Sequence, residues 1–139
     1  IGVAEPLQLF GSEEQKQRWL PLVSRTHISA FLLTEPDVGS DPARLGTTAT
    51  PTEDGSGYRL NGTKLWATNG AIADIVVVMA QVPDGGITAF VLPYDSEGVT
   101  VTHRNSFMGL RGIENSVTTF EDVYVPAENV IGRVGQGRL

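Results

Sequence analysis

Residues 31–41, Phe-Leu-Leu-Thr-Glu-Pro-Asp-Val-Gly-Ser-Asp, set the reading of the whole chain. They begin as an apolar, strand-like run, break at Glu35-Pro36 into a turn, and end on a Gly-Ser-Asp tripeptide suited to a loop. An apolar scaffold running into a glycine-containing polar loop commonly offers backbone N–H groups and hydroxyls to a ligand. A strand followed by a solvated turn accounts for the same local pattern. A second stretch downstream, residues 61–70, reads Asn-Gly-Thr-Lys-Leu-Trp-Ala-Thr-Asn-Gly. It again places hydroxyls, an aromatic and glycines close together.

Before residue 31 the pattern is helical. Ser12-Glu13-Glu14-Gln15 forms a capping box, in which the Ser12 hydroxyl and the Gln15 side chain each serve the other's backbone N–H. Two acids in the first turn suit the helix dipole. Trp19, Leu20, Leu22 and Val23 supply an apolar side, so a helix is predicted over 13–23, kinked or restarted at Pro21. Residues 1–10 carry no firm signal.

After residue 26 the period changes to two. Strands are predicted over 27–34, 47–53, 58–60, 63–68, 75–82, 87–92, 99–104 and 116–125, divided by Gly, Pro and Asp. Asp54-Gly55-Ser56-Gly57 reads as a turn, and Asn61-Gly62 as the tight turn of a hairpin, because both residues tolerate positive φ. The fold class is mainly β: a small β-barrel or sandwich preceded by one helix.

Composition narrows the function. At 139 residues and 40% hydrophobic content the chain is ordinary globular material for one domain. A net charge of −6 argues against nucleic acid or an anionic membrane as partner. The longest apolar run, residues 75–80, has the length of a buried strand and falls far short of the ~20 residues of a membrane span. Cysteine is absent, which excludes disulfides, thiolate catalysis and thiolate-bound metal within this chain. His27 and His103 lie on strand-like runs with no third ligand in view, so no metal site is expected.

Three motifs in register resemble the acyl-CoA dehydrogenase family, specifically its middle β-domain. A Thr-Glu-x-x-x-Gly-Ser-Asp signature is met by Thr34, Glu35, Gly39, Ser40 and Asp41. An Asn-Gly-x-Lys-x-Trp-x-Thr-Asn stretch is met by Asn61, Gly62, Lys64, Trp66, Thr68 and Asn69, and Phe-Glu-Asp-Val-x-Val-Pro by residues 120–126. Val38 and Arg44 depart from the small residues usual there, which puts the loop conformation and the acyl-CoA channel in question. The 82–86 loop also looks shorter than in many relatives.

The resemblance implies residues 1–26 as the tail of an N-terminal helical domain, 27–126 as the middle β-domain, and 127–139 as a linker toward a C-terminal helical domain. The first residue is Ile and the last residues are Gly-rich, so both ends read as cut and the chain as a fragment of an α+β multidomain enzyme. The implied cofactor is FAD and the implied substrate an acyl-CoA thioester, oxidised to its trans-2-enoyl form. Thr68 would hydrogen-bond flavin N5, Thr34 the pyrimidine side, and Trp66 would pack on the isoalloxazine. Phe31, Leu33 and Ala67 would line the flavin with backbone. Gly39 and Ser40 would approach the pyrophosphate or the thioester arm, making Ser40 a substrate contact as well. Read without the resemblance, Thr34 and Thr68 fit solvent-facing strand residues and Trp66 a half-buried strand aromatic.

Glu35, Asp37 and Asp41 form a carboxylate cluster that acid–base chemistry could use. Glu35-Pro36 reads better as a turn anchor, and Asp41 as a cap on nearby backbone. In the family, the base is a glutamate of the C-terminal helical domain, so no catalytic residue is expected here and the fragment alone should be inactive. Arg111 could clamp a CoA phosphate or hold a turn. The resemblance further implies electron-transfer flavoprotein as acceptor, a homo-oligomer, often a tetramer, and a cytoplasmic or mitochondrial-matrix location. An acyl-CoA oxidase, a flavin monooxygenase of the same fold, and a non-catalytic acyl-CoA- or partner-binding β-domain remain open.

Overall fold

The computed structural model describes residues 4–25, 29–33, 35, 45–68, 74–105 and 115–135. Two helices lead the chain, α1 (Ala4–Phe10) and α2 (Glu13–Arg25). The capping box at the start of α2 forms as expected: Ser12 N–H donates to Gln15 Oε1 (3.0 Å) and Gln15 N–H to Ser12 Oγ (3.2 Å). Pro21 removes one N–H from the ladder without ending α2, which runs two residues past the predicted end. The α1 helix carried no firm sequence signal. Its Leu7 is fully buried beside Trp19, so tertiary packing holds this short element.

Eight strands follow: β1 (Ser29–Leu32), β2 (Thr48–Pro51), β3 (Gly57–Thr68), β4 (Ile75–Val82), β5 (Gly86–Pro93), β6 (Val99–Asn105), β7 (Asn115–Pro126) and β8 (Val130–Ile131). They form one sheet in the order β6-β7-β3-β2-β4-β5-β8, with β1 paired parallel to β4. The sheet curls back on itself. Tyr94, at the end of β5, hydrogen-bonds Thr118 of β7 although several strands lie between them in the sheet order.

The β4 strand shows why residues 75–80 are continuously apolar. Val76, Val78, Ala80 and Val82 join Leu60, Phe90, Phe120 and Val123 in the inner core. Ile75, Val77 and Met79 point the other way, against Leu7 and Trp19 of the helices. A strand covered on both faces loses its polar alternation. Tyr58 packs edge-on to Phe90 in the inner core, with ring centroids 5.2 Å apart.

One expectation is corrected. Asn61-Gly62 is not a hairpin turn, because β3 runs unbroken from Gly57 to Thr68. The hairpin lies earlier, at the predicted 54–57 turn between β2 and β3, where Asp54 accepts hydrogen bonds from Ser56 N–H, Thr52 Oγ1 and Ser56 Oγ. Those bonds, the Ser56 N–H foremost, hold the Asp54 carboxyl at about 2. Gly62 serves close approach instead, since a Cβ there would run into the backbone and side chain of Thr47.

The last elements close over the sheet. Gln15 Nε2 donates to the carbonyls of Glu128 (2.7 Å) and Val130 (2.6 Å), tying α2 to a 3-10 turn (Ala127–Asn129) and to β8.

Candidate functional site

Two strand segments share one side of β4: β1 pairs with Ile75–Val78, and β2 begins farther along, where Thr48 faces Gln81. Residues 36–44, between them in sequence, lie outside the described residues. One carboxylate ties Glu35 to the start of the segment that leads into β2. Glu35 Oε2 accepts the N–H of Gly46 (2.6 Å) and Oε1 accepts that of Thr47 (2.9 Å). Glu35 therefore anchors the backbone at Gly46 and Thr47, while the Glu35-Pro36 turn that its sequence context suggested lies outside the described residues. Its role here is structural, and its carboxylate is fully engaged.

The same carboxylate meets a buried cation. Lys64 of β3, fully buried, places Nζ 2.8 Å from Glu35 Oε1 and donates to the Leu33 carbonyl at 3.1 Å. Burial alone would raise the Glu35 pKa; hydrogen bonds from Lys64 and Thr47, with the ammonium's charge, outweigh it and leave the carboxyl below its ordinary value. Burial holds the Lys64 ammonium below its ordinary value, and Glu35 offsets part of that. Sequence reading counted Lys64 within a motif but gave it no role. The available signal was a lysine four residues before Thr68, on a strand bounded by the apolar Leu60, Leu65 and Trp66.

Beyond Lys64 the β3 backbone changes register. Lys64 faces Thr118 of β7 and Ala67 faces Ser116, so Leu65 and Trp66 together oppose Val117 alone. A second irregularity lies at the same level, between Val101 and His103 of β6. Paired bulges re-aim side chains and recur beside functional sites. Trp66 occupies the β3 bulge, Ala67 and Thr68 end the strand opposite Ser116 and Asn115, and Phe31 lies in β1 opposite Val77. The half-buried Leu33 follows β1. Thr34, Asp37, Val38, Gly39, Ser40, Asp41, Arg44 and Arg111 lie outside the described residues, as does His27. Among the described residues no cluster of acids and histidines could hold a metal ion, and no helix is long and apolar enough to cross a membrane.

The second and third motifs also meet. Asn61 and Asp122 exchange two hydrogen bonds across β3 and β7, where Glu121 and Asp122 bulge against Asn61. All three motifs are therefore fastened to one strand: the first through Glu35–Lys64, the third through Asp122–Asn61.

A curled single sheet roofed by helices, with interrupted strands converging on one bulged strand end, defines a helix-capped β-domain. A sequence model of the acyl-CoA dehydrogenase middle domain matches residues 30–123, and the chain belongs to that family. It is 61% identical over 142 aligned residues to the probable acyl-CoA dehydrogenase FadE10 of Mycobacterium tuberculosis, covering 99% of this chain and 22% of that protein. An acyl-CoA dehydrogenase from Bacillus anthracis, solved in complex with FAD, superposes with a TM-score of 0.93 at 39% identity, over 99% of this chain and 24% of that one. The prolyl acyl carrier protein oxidase AnaB superposes with a TM-score of 0.92 at 38% identity, over 98% of this chain and 37% of AnaB. The chain thus spans between a fifth and two fifths of the length of these relatives.

Proposed function

We propose that this chain is the flavin- and acyl-CoA-binding middle domain of an acyl-CoA dehydrogenase-like oxidoreductase that desaturates acyl-CoA thioesters between Cα and Cβ. The observation that carries the reading is the fastening of the first two motifs to each other by Lys64 and Glu35. This joins Leu33 and Glu35, the sequence neighbours of Thr34, to β3 four residues before Thr68.

The residues suit FAD chemically. Among the described residues β1 forms a ladder with β4 alone, so its second edge can offer backbone at Phe31 and Leu33 to a ligand. The bulge that re-aims β3 falls at Trp66, directly before Ala67 and Thr68. In this reading Trp66 packs on the isoalloxazine, Thr68 and Thr34 hydrogen-bond its N5 and pyrimidine sides, and Gly39 with Ser40 approaches the pyrophosphate or the thioester arm. FAD, when bound, would supply the acceptor for the substrate hydride.

The division of labour follows. Residues 1–26 belong to a helical domain and 27–126 to the β-domain, and 127–139, after adding β8 to the sheet, lead toward a second helical domain that carries the proton-abstracting carboxylate. These residues alone would position and orient without turnover. The full-length enzyme would be a homo-oligomer, pass electrons to an electron-transfer flavoprotein, and work in the cytoplasm, or in the mitochondrial matrix if the source is eukaryotic.

A second reading is favoured by the likeness to AnaB, which nearly equals that to the dehydrogenase. An oxidase would return its electrons to O₂. Steady-state assays of the flavin-loaded full-length protein separate the two. Turnover with an artificial one-electron acceptor and negligible O₂ consumption supports the dehydrogenase; stoichiometric O₂ uptake supports the oxidase.

A further inference from the structure

Lys64 grips the chain on both sides of one residue. Its ammonium donates to the carbonyl of Leu33 and to the carboxylate of Glu35, so the neighbours before and after Thr34 hang from a single buried cation on β3. The contact is costly, because Lys64 is fully buried and Glu35 nearly so. Taking two charges out of water seldom stabilises a fold more than well-packed apolar residues would. The Glu35 carboxylate also accepts the backbone N–H groups of Gly46 and Thr47, which lead into β2. Register, rather than stability, is what such a pair supplies best.

We infer that Lys64 and Glu35 are positioning residues for the flavin site. They hold Leu33 and Glu35, the sequence neighbours of Thr34, against β3 just ahead of Trp66 to Thr68, so that the two segments can meet one planar ring. Neither side chain need touch the cofactor. The inference rests on the flavin-binding reading above and extends it to two residues that reading leaves without a role.

The test uses the full-length protein, stripped of flavin and titrated with FAD, as wild type, Lys64→Met and Lys64→Met/Glu35→Gln. The single variant leaves a buried carboxylate unpaired; the double variant removes both charges while keeping an acceptor for one of the Gly46 and Thr47 amides. Strand content by circular dichroism and the melting temperature of the apoprotein report the fold. The FAD dissociation constant and the shape of the bound-flavin absorption band report the site.

Positioning predicts that the double variant regains a melting temperature within a few degrees of wild type yet binds FAD at least tenfold more weakly, with an altered band. A double variant that folds and binds FAD within twofold of wild type overturns the inference. So does loss of strand signal in both variants, which would make the pair a folding element alone. Wild-type protein that takes up no FAD would instead sink the flavin-binding reading beneath it.

Discussion

Asn61 and Asp122 hydrogen-bond each other twice: Asp122 N–H donates to Asn61 Oδ1 at 2.9 Å, and Asn61 Nδ2 donates to Asp122 Oδ1 at 3.1 Å. Asp122 does so from φ 48°, a left-handed conformation that aspartate tolerates better than most residues. The pair locks the point where two residues of β7 bulge against one of β3.

Replacing Asp122 separates backbone from side chain. Both Asp122→Gly and Asp122→Ala lose the bond from Asn61 Nδ2 and keep the backbone N–H donation to Asn61 Oδ1, but only alanine must also hold a positive φ. Asp122→Ala should be the less stable of the two by about 1 kcal/mol. Thermal melting of the two variants side by side checks this, and equal melting points would mean the bulge relaxes when the side-chain bond goes.

Gly62 should tolerate no side chain. Its Cβ would meet the Cα, Cβ and hydroxyl of Thr47, which is itself buried. Gly62→Ala is expected to cost on the order of 2–4 kcal/mol through overpacking. Gly55, at φ 72° but with open space around it, is the control. Gly55→Ala should cost only about 1 kcal/mol, so denaturant melts that rank the two equally would contradict the close-approach account.

Glu35 gives the fold an acid limb. Its folded pKa lies below the ordinary 4.5, so the unfolded chain binds that proton more tightly. The stability it contributes is therefore fully present above about pH 4.5 and is lost as pH falls through the folded value. Lys64→Met/Glu35→Gln should show a shallower fall in melting temperature below pH 4.5 than wild type. Parallel acid limbs would assign the acid sensitivity to other carboxylates.

Gln15 should be worth more than a helix cap. Besides closing the capping box it donates to the carbonyls of Glu128 and Val130. Gln15→Leu removes this donor from both and should cost about 2–3 kcal/mol, above the ~1 kcal/mol typical of a cap. Hydrogen exchange would then quicken in α2 and around residues 127–131 together. Faster exchange confined to α2 would show that the two segments are not coupled.

Much of this fold was legible because its signals are local. The capping box at Ser12 and Gln15, the apolar run of β4 and the 54–57 turn follow from patterns within a few residues. Asn61-Gly62 misled because the same dipeptide serves two needs. Local chemistry allows a hairpin there, but only the long-range approach of Thr47 shows that glycine is present for its missing Cβ. Lys64 was obscure for a related reason: its partners lie 29 and 31 residues away, and nothing beside it in sequence shows that it is buried. The α1 helix depends on Leu7 reaching Trp19 and β4, a contact invisible before folding. The family resemblance was readable because its motifs are contiguous. What joins the first two of them in space became visible only where Glu35 meets Lys64.

The most direct measurement of the central claim is an anaerobic titration of the FAD-loaded full-length protein with a series of acyl-CoA thioesters, followed by flavin absorbance. The account predicts that at least one thioester bleaches the oxidised flavin band stoichiometrically and is recovered as its trans-2-enoyl product. A protein that holds no flavin, or whose flavin stays oxidised across the series while a reductant such as dithionite bleaches it, would contradict the account.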